Sequence, residues 1–273
     1  MVTEKERARY FSRRNKAVIT GMLLSVLIAG LALNYFTQVN IWLGFGILFS
    51  TAFLGRLVSW YFLLRQSEPR YHYDPKSYFS FRDFIRKMPQ TNFGNFVIFR
   101  SLMAFAVMVA SPFFAVYMLR NLNFSYIQYT VIVLTPMLVK ILTMVYWGRY
   151  SDKFGTRNIM TVSGVLIATI PLWWFLGGHI FSHSQAIFYI LILAEAVSGF
   201  AWAGFELTTF NYILETVSSK KRARCFAYFN MVFGTAVLIG GLLGAWLVAI
   251  MPSQGIGALL AVFAVSFLCP FLC

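Results

Sequence analysis

Eight stretches of this 273-residue sequence are long and apolar enough to cross a lipid bilayer as helices. A crossing takes about 20 apolar residues, because the bilayer core offers no partners to backbone N–H and C=O groups and a helix satisfies them internally. Only 12% of the residues are charged, whereas 59% are hydrophobic, which is typical of a membrane protein. We predict an all-α polytopic membrane bundle with spans at residues 17–36, 41–64, 94–119, 126–146, 159–178, 186–214, 226–250 and 255–272.

A polar segment, residues 65–93, separates the second and third spans. Its three prolines and mixed charges indicate a linker. Within the linker, apolar residues recur at helical spacing opposite a basic face, which predicts a short amphipathic helix on the membrane surface. The apolar positions are Phe81, Phe84, Ile85 and Met88, and the basic positions are Arg82, Arg86 and Lys87. We therefore predict three parts: residues 1–64, the linker 65–93, and a six-helix part at 94–273.

The basic residues fall mainly in alternate connections between the spans. A net charge of +14 in a soluble protein would indicate a nucleic-acid partner, but 19 of the 23 Lys and Arg residues lie in segments that share one side of the membrane. The opposite side holds Arg120 alone. Since cytoplasmic loops carry the excess of Lys and Arg, we predict that both termini are cytoplasmic, in a plasma (inner) membrane. The predicted partner is the lipid bilayer, not nucleic acid.

The sequence predicts no metal site and no cofactor. Cys225, Cys269 and Cys273 lack ligand spacing, and we interpret His179 and His183 as part of a solvated loop. The aromatic run "PLWWF" at residues 171–175 is predicted to anchor at the membrane interface.

The connection "WGRYSDKFGTR", residues 147–157, is the one strongly polar interruption in a long apolar part of the chain. Its pattern resembles the signature loop of the major facilitator superfamily, which follows the second helix of each half. The positions that carry the resemblance are Gly148, Asp152, Lys153, Gly155 and Arg157. The resemblance implies a transporter of two six-helix halves, with these spans similar to helices 5 to 12. We therefore expect a partial chain that does not move substrate alone.

A short internal repeat agrees with two parallel halves. "ERARYF" at residues 6–11 is similar to "KRARCF" at 221–226, and each precedes an apolar helix predicted to run outward. The offset of 215 residues spans six predicted helices and the linker, as expected for two related six-helix repeats.

The family resemblance also implies a cytoplasmic gate. Asp152, Arg157 and Glu215 match the motif acid, motif Arg and helix-end acid with which facilitators latch their cytoplasmic face, and Asp152 is expected to face the first span near residues 13–18. Gly148 would let two helices approach closely, and Gly155 would adopt the left-handed backbone of a tight turn. Lys153 and Arg157 would pair with carboxylates or anionic headgroups.

Ionisable residues inside the spans are candidates for a substrate or proton site, because each costs about 2.5 to 3.5 kcal/mol to insert at a helix centre. Two acids lie eleven residues apart in the sixth span, and that spacing returns to nearly the same helix face. The predicted stripe is Glu195, Ser198, Trp202, Glu206 and Thr209. Glu195 is predicted either to carry a proton or substrate cation, or to form a structural ion pair with Arg100 or Lys140. Gly199 and Gly204 would let this helix bend.

These features predict a secondary active transporter of a small molecule or ion that works by alternating access, with a proton as the candidate coupling ion. The alternative is a polytopic scaffold or assembly subunit without transport. An integral-membrane enzyme is less favoured, because the three aspartates and the histidines fall outside the predicted spans and the external loops contain no acid. Substrate and oligomeric state are not determined by the sequence.

Overall fold

The computed structural model describes residues 4–66, 78–181, 184, 186–250 and 256–268. Side chains are described from Val18 onward, except at positions 19, 152, 219, 256, 258 and 268. Within these ranges the regular structure is entirely helical. The helices are α1 Glu4–Val39, α2 Ile41–Leu64, α3 Phe81–Lys87, α4 Asn92–Val116, α5 Tyr126–Phe154, α6 Thr156–Phe181, α7 Ala186–Thr216, α8 Ser219–Ile250 and α9 Ile256–Leu268.

Seven of the described helices, all except α3 and α9, are long and apolar enough to cross a membrane. They coincide with the first seven predicted spans, and they confirm the predicted all-α polytopic bundle. The eighth predicted span, 255–272, corresponds to α9, which has 13 residues within the described range. Large apolar side chains cover the outside of the helices: Leu142 on α5 and Tyr189 on α7 are about 70% exposed, as expected of surfaces that face lipid.

The chain divides into two compact units. The first contains Met1–Tyr71 together with Phe124–Leu134, and the second contains His72–Asn123 together with Thr135–Cys273. In the first unit α1 packs against α2, and Asn40 forms the turn between them by accepting hydrogen bonds from the first backbone amides of α2. Such a cap satisfies donors that have no partner inside the helix.

The second unit is built around α4. This helix packs against α8 and α9, and α6 packs against α7 and α9. A five-residue π-helical turn, Tyr117–Asn121, follows α4. Aromatic rings fill both ends of the unit: one cluster includes Phe93, Phe96, Tyr212 and Phe229, and the other includes Phe114, Tyr117, Trp174 and Phe263.

Helix α3 lies within the predicted linker, and it packs partly on the protein. Ser80 and Asp83 form a capping box: the Ser80 Oγ accepts from the Asp83 amide at 3.1 Å, and the Asp83 carboxylate accepts from the Ser80 amide at 3.2 Å. Phe84 is buried against Phe93 and Tyr228, and the Tyr228 hydroxyl donates to the Phe79 carbonyl at 3.0 Å. Contact with the membrane surface remains a prediction for the exposed part of the helix.

Two local predictions are wrong. His179 belongs to the last turn of α6 and not to a loop, and its ring stacks on Phe175; His183 lies outside the described residues. Within "PLWWF" the interface prediction fails at Trp174, which is fully buried because its ring packs among Phe114, Tyr117 and Phe263. Trp173 is exposed, and an interface position stays a prediction for it. The side chains of the first copy of the internal repeat, residues 6–11, lie outside the described side chains.

Candidate functional site

The polar connection at residues 147–157 is a one-residue turn between two long helices. Helix α5 ends at Phe154 and α6 begins at Thr156, and Gly155 between them has φ +84°. This confirms the predicted left-handed backbone, which favours glycine because a Cβ would be strained there. The Asn158 side chain donates to the Phe154 carbonyl at 3.0 Å, so it satisfies an acceptor at the end of α5.

The close helix approach expected at Gly148 occurs instead at two glycines of α7. A Cβ on Gly148 would come no nearer than 3.9 Å to the Leu207 side chain, an ordinary van der Waals separation. A Cβ on Gly199 would collide with the backbone of Pro136 in α5, and one on Gly204 with the side chains of Ser163 and Trp147. Helix α7 is continuous through both glycines. Their role in this structure is therefore close packing between helices.

The predicted latch residues are placed as follows. Thr156 Oγ1 donates to Glu215 Oε1 at 2.9 Å, so Glu215 contacts the start of α6 next to Arg157. Arg157 is exposed and forms no ion pair with Glu215 among the described residues. The Lys153 ammonium lies over the Phe154 ring at 5.3 Å. The side chain of Asp152 and the residues near 13–18 that it was expected to face lie outside the described side chains.

Two of the predicted site residues form an ion pair between spans. The Lys140 ammonium of α5 donates to the Glu206 carboxylate of α7. Their side chains are 31% and 45% exposed, respectively, so the pair lies at an accessible surface of the helix packing and not in its interior. Neither residue was predicted to have this particular partner.

Arg100 lies beside this pair on α4, enclosed by aromatic rings. Its guanidinium carbon is 4.7 Å from the Phe233 ring centre, 5.1 Å from that of Phe205 and 5.8 Å from that of Trp202. Glu206 is close enough to act on Arg100 electrostatically. The Arg100 Nε and Nη1 atoms are buried, and they have no hydrogen-bond partner among the described residues.

The surroundings of Arg100 stabilise its positive charge, but they leave hydrogen-bond donors of the side chain without partners. Insertion of an arginine at a helix centre costs about 2.5 to 3.5 kcal/mol, and each cation–π contact contributes about 0.5 to 2 kcal/mol. Three rings can therefore offset the burial of the charge. They do not replace hydrogen bonds, and a buried donor without a partner costs about 1 to 3 kcal/mol. The Arg100 site is thus suited to an additional acceptor.

The described hydrogen-bond donor of Glu195 is neither Arg100 nor Lys140. It accepts a hydrogen bond from Trp174 Nε1 at 3.2 Å, and no ion pair with Arg100 or Lys140 is present among the described residues. The structural ion pair considered for Glu195 is therefore wrong: the Lys140 partner is Glu206. Of the other residues in the stripe, Ser198 is buried, and the buried Thr209 hydroxyl has no described partner.

Several residues that shape this site were missed from the sequence. Trp174, Phe205 and Phe233 are ordinary apolar residues of their spans, and only packing brings them to Glu195 or Arg100. Arg222 was counted only as a cytoplasmic charge, yet it donates to the carbonyls of Leu214 and Val217 at the end of α7. A basic residue soon after a helix end is a known capping signal, so this role was accessible to sequence reasoning.

Comparison with known proteins identifies the family. A sequence profile described as Major Facilitator Superfamily matches residues 96–272, more than half of the chain. A search of curated proteins found no match. The matched range begins near the start of α4 and includes the tight turn at Gly155, Arg100, the Lys140–Glu206 pair and Glu195. The chain therefore belongs to the Major Facilitator Superfamily of membrane transporters.

Proposed function

We propose that this chain functions within a secondary active transporter of a small solute that works by alternating access, with its substrate site formed by Arg100, Lys140, Glu206, Trp202 and Ser198. The observation that carries the proposal is the meeting of ionisable side chains from α4, α5 and α7 inside membrane spans. Such residues are costly in a bilayer and mark substrate or ion pathways. The accessible Lys140–Glu206 pair supports an opening on that side of the site.

The turn at Gly155 is proposed as the gating element on the cytoplasmic face. Helices α5 and α6 are joined by one residue, so a rotation of one helix is expected to move the other. Thr156 holds Glu215 at the start of α6. In the proposed latch, Arg157 and Asp152 form further contacts in one state of the transport cycle and release them in the other. The proposed arrangement of residues 1–64, 65–93 and 94–273 has both termini in the cytoplasm of a plasma (inner) membrane.

Glu195 is proposed as the proton site. Its described hydrogen-bond donor is an uncharged indole N–H, and no cation pairs with it among the described residues. No ion pair therefore holds the carboxyl group in its charged form. A carboxyl group in a membrane span that is free of a permanent counter-ion is suited to bind and release a proton during the cycle.

Solute-driven proton movement tests both the transport and the coupling. Inverted vesicles are prepared from cells that produce the protein, and they are energised to acidify the lumen. A pH-sensitive dye follows the lumenal pH while carboxylates, phosphates, sugars and organic cations are added singly. We expect one class to change the lumenal pH in parent vesicles, raising it if the solute exchanges with protons and lowering it if the two move together. Glu195→Gln should abolish this change, whereas Glu195→Asp should retain part of it because it keeps the carboxyl group.

Two results would contradict the proposal in different ways. Solute uptake with the same pH dependence in the parent and Glu195→Gln proteins would remove the proton role but leave transport. A folded protein at normal abundance that moves none of the solute classes, with or without a gradient, would favour the non-transporting scaffold.

A further inference from the structure

We infer that the transported solute carries an oxyanion, a carboxylate or a phosphate, and that the Arg100 guanidinium binds it. This inference rests on the proposed transport function and specifies its substrate class. It is carried by one combination of observations: a guanidinium enclosed by aromatic rings, buried donors without described partners, and a neighbouring acid that is already paired with another cation.

The first step concerns the donors of Arg100. A guanidinium has five N–H donors, of which one is on Nε and two are on Nη1. Both nitrogens are buried and have no hydrogen-bond partner among the described residues. A carboxylate or phosphate binds along an edge of the guanidinium and accepts two hydrogen bonds. Either edge that can hold such an anion includes one of these two nitrogens.

The second step concerns the charges around Arg100. The acid that acts on it electrostatically is Glu206, and Glu206 accepts its described ion-pair hydrogen bond from Lys140. Arg100 forms no ion pair of its own among the described residues, and the one nearby carboxylate that acts on it is already paired with Lys140. The surplus of one positive charge favours an anionic ligand over a cationic one, and a neutral ligand would leave that charge uncompensated.

The third step concerns the aromatic rings. Trp202, Phe205 and Phe233 come from two helices and surround the same guanidinium. Rings stabilise a cation without supplying a hydrogen-bond acceptor, so they hold Arg100 in the span while its donors stay unused. Arg222 differs in degree: its Nη2 donates to the carbonyls of Leu214 and Val217 and only its Nε is buried without a described partner, whereas at Arg100 both Nε and Nη1 lack one.

The test measures anion binding without requiring transport. The purified full chain is placed in phosphatidylcholine nanodiscs, and its thermal unfolding is followed while sodium succinate or inorganic phosphate is added at constant ionic strength. We expect a saturable rise in melting temperature with at least one of the two anions. Tetramethylammonium chloride and glucose should produce none.

Matched variants assign the effect to Arg100. Arg100→Gln should weaken the anion affinity at least tenfold while the protein without ligand melts within a few degrees of the parent. Arg100→Lys, which keeps the charge but not the two-donor edge, should weaken it by an intermediate factor. Arg120→Gln removes an exposed arginine beyond α4 and should bind like the parent.

The outcomes separate this inference from the proposed function. Equal anion affinity in the parent, Arg100→Gln and Arg100→Lys proteins would overturn the inference, as would protection only by tetramethylammonium or glucose. Protection that requires phosphatidylglycerol in the nanodisc, with no response to soluble anions, would assign the site to a lipid headgroup and overturn the substrate role.

If vesicles move only a cationic or neutral solute, transport stands and the oxyanion class fails. If soluble anions bind through Arg100 but no solute is moved, the anion site stands and the transporter proposal fails.

Discussion

At the scale of single residues, the glycines of the polar turn and of α7 serve different physical requirements. Gly155 is needed for its backbone, because φ +84° lies where side chains with a Cβ are strained. Gly199 is needed for space, because the Pro136 backbone lies where its Cβ would be. Gly148 meets neither requirement in this structure, since the nearest atom to its Cβ would be 3.9 Å away.

The two motif glycines should therefore respond differently to replacement by alanine. Gly155→Ala should destabilise the protein by about 1 kcal/mol, since the native φ is incompatible with alanine. Gly148→Ala should be neutral or stabilise it by up to about 1 kcal/mol, because alanine is the better helix former. Both values can be measured from unfolding in mixed detergent micelles. Equal destabilisation by Gly148→Ala and Gly155→Ala would mean that a Cβ at position 148 meets neighbouring atoms closer than 3.9 Å.

At the scale of elements, α3 shows how a short helix is held on a membrane domain. Seven residues cannot form a stable helix alone, and α3 is supported by its capping box and by the burial of Phe84 against Phe93 and Tyr228. Hydrogen bonding to Ser80 lowers the pKa of Asp83 below its usual value. The contribution of the capping box to the stability of α3 therefore depends on pH.

Hydrogen exchange of the α3 amides should report this cap. Ser80→Ala should increase exchange in the first turn severalfold, because a capping acceptor is lost, while Arg86→Ala on the exposed face should not. Because the folded pKa of Asp83 is the lower one, its contribution is present above the unfolded pKa and is lost as the pH falls through the folded pKa. After correction for intrinsic rates, protection of α3 should therefore decrease in acid in the parent and stay constant in Asp83→Asn. Acid-independent protection in the parent would contradict this assignment.

At the scale of the whole molecule, the distribution of basic residues predicts the orientation of every connection. The connection between α7 and α8 is predicted to lie on the basic, cytoplasmic side, and that between α6 and α7 on the opposite side. Each contains an exposed serine, Ser218 and Ser184, respectively.

Cysteine labelling in intact cells tests this orientation. In a background with Cys225, Cys269 and Cys273 replaced by serine, Ser184→Cys should react with a membrane-impermeant maleimide added outside. Ser218→Cys should react only after the membrane is permeabilised, because the positive-inside bias retains its loop in the cytoplasm. The reverse pattern would invert the topology and remove the cytoplasmic gate from the proposed mechanism.

Seven of the eight spans, their helical state and the left-handed glycine at position 155 could be predicted from the sequence. These properties depend on local chemistry: apolar length sets a crossing helix, and a one-residue turn between helices needs a backbone without a Cβ. The common helix face predicted for Glu195 and Glu206 also rests on spacing along one helix, but their hydrogen-bond partners lie on different helices, α6 and α5.

Only the tertiary structure decided which of these residues are partners. Lys140 and Glu206 are 66 positions apart, and the Glu195 partner Trp174 lies on α6. Such pairings depend on how each helix is rotated about its axis and which neighbour it packs against. Those variables are set by contacts such as Gly199 against Pro136 and by the rings around Arg100, and an apolar span shows little of them because nearly every face of it is hydrophobic.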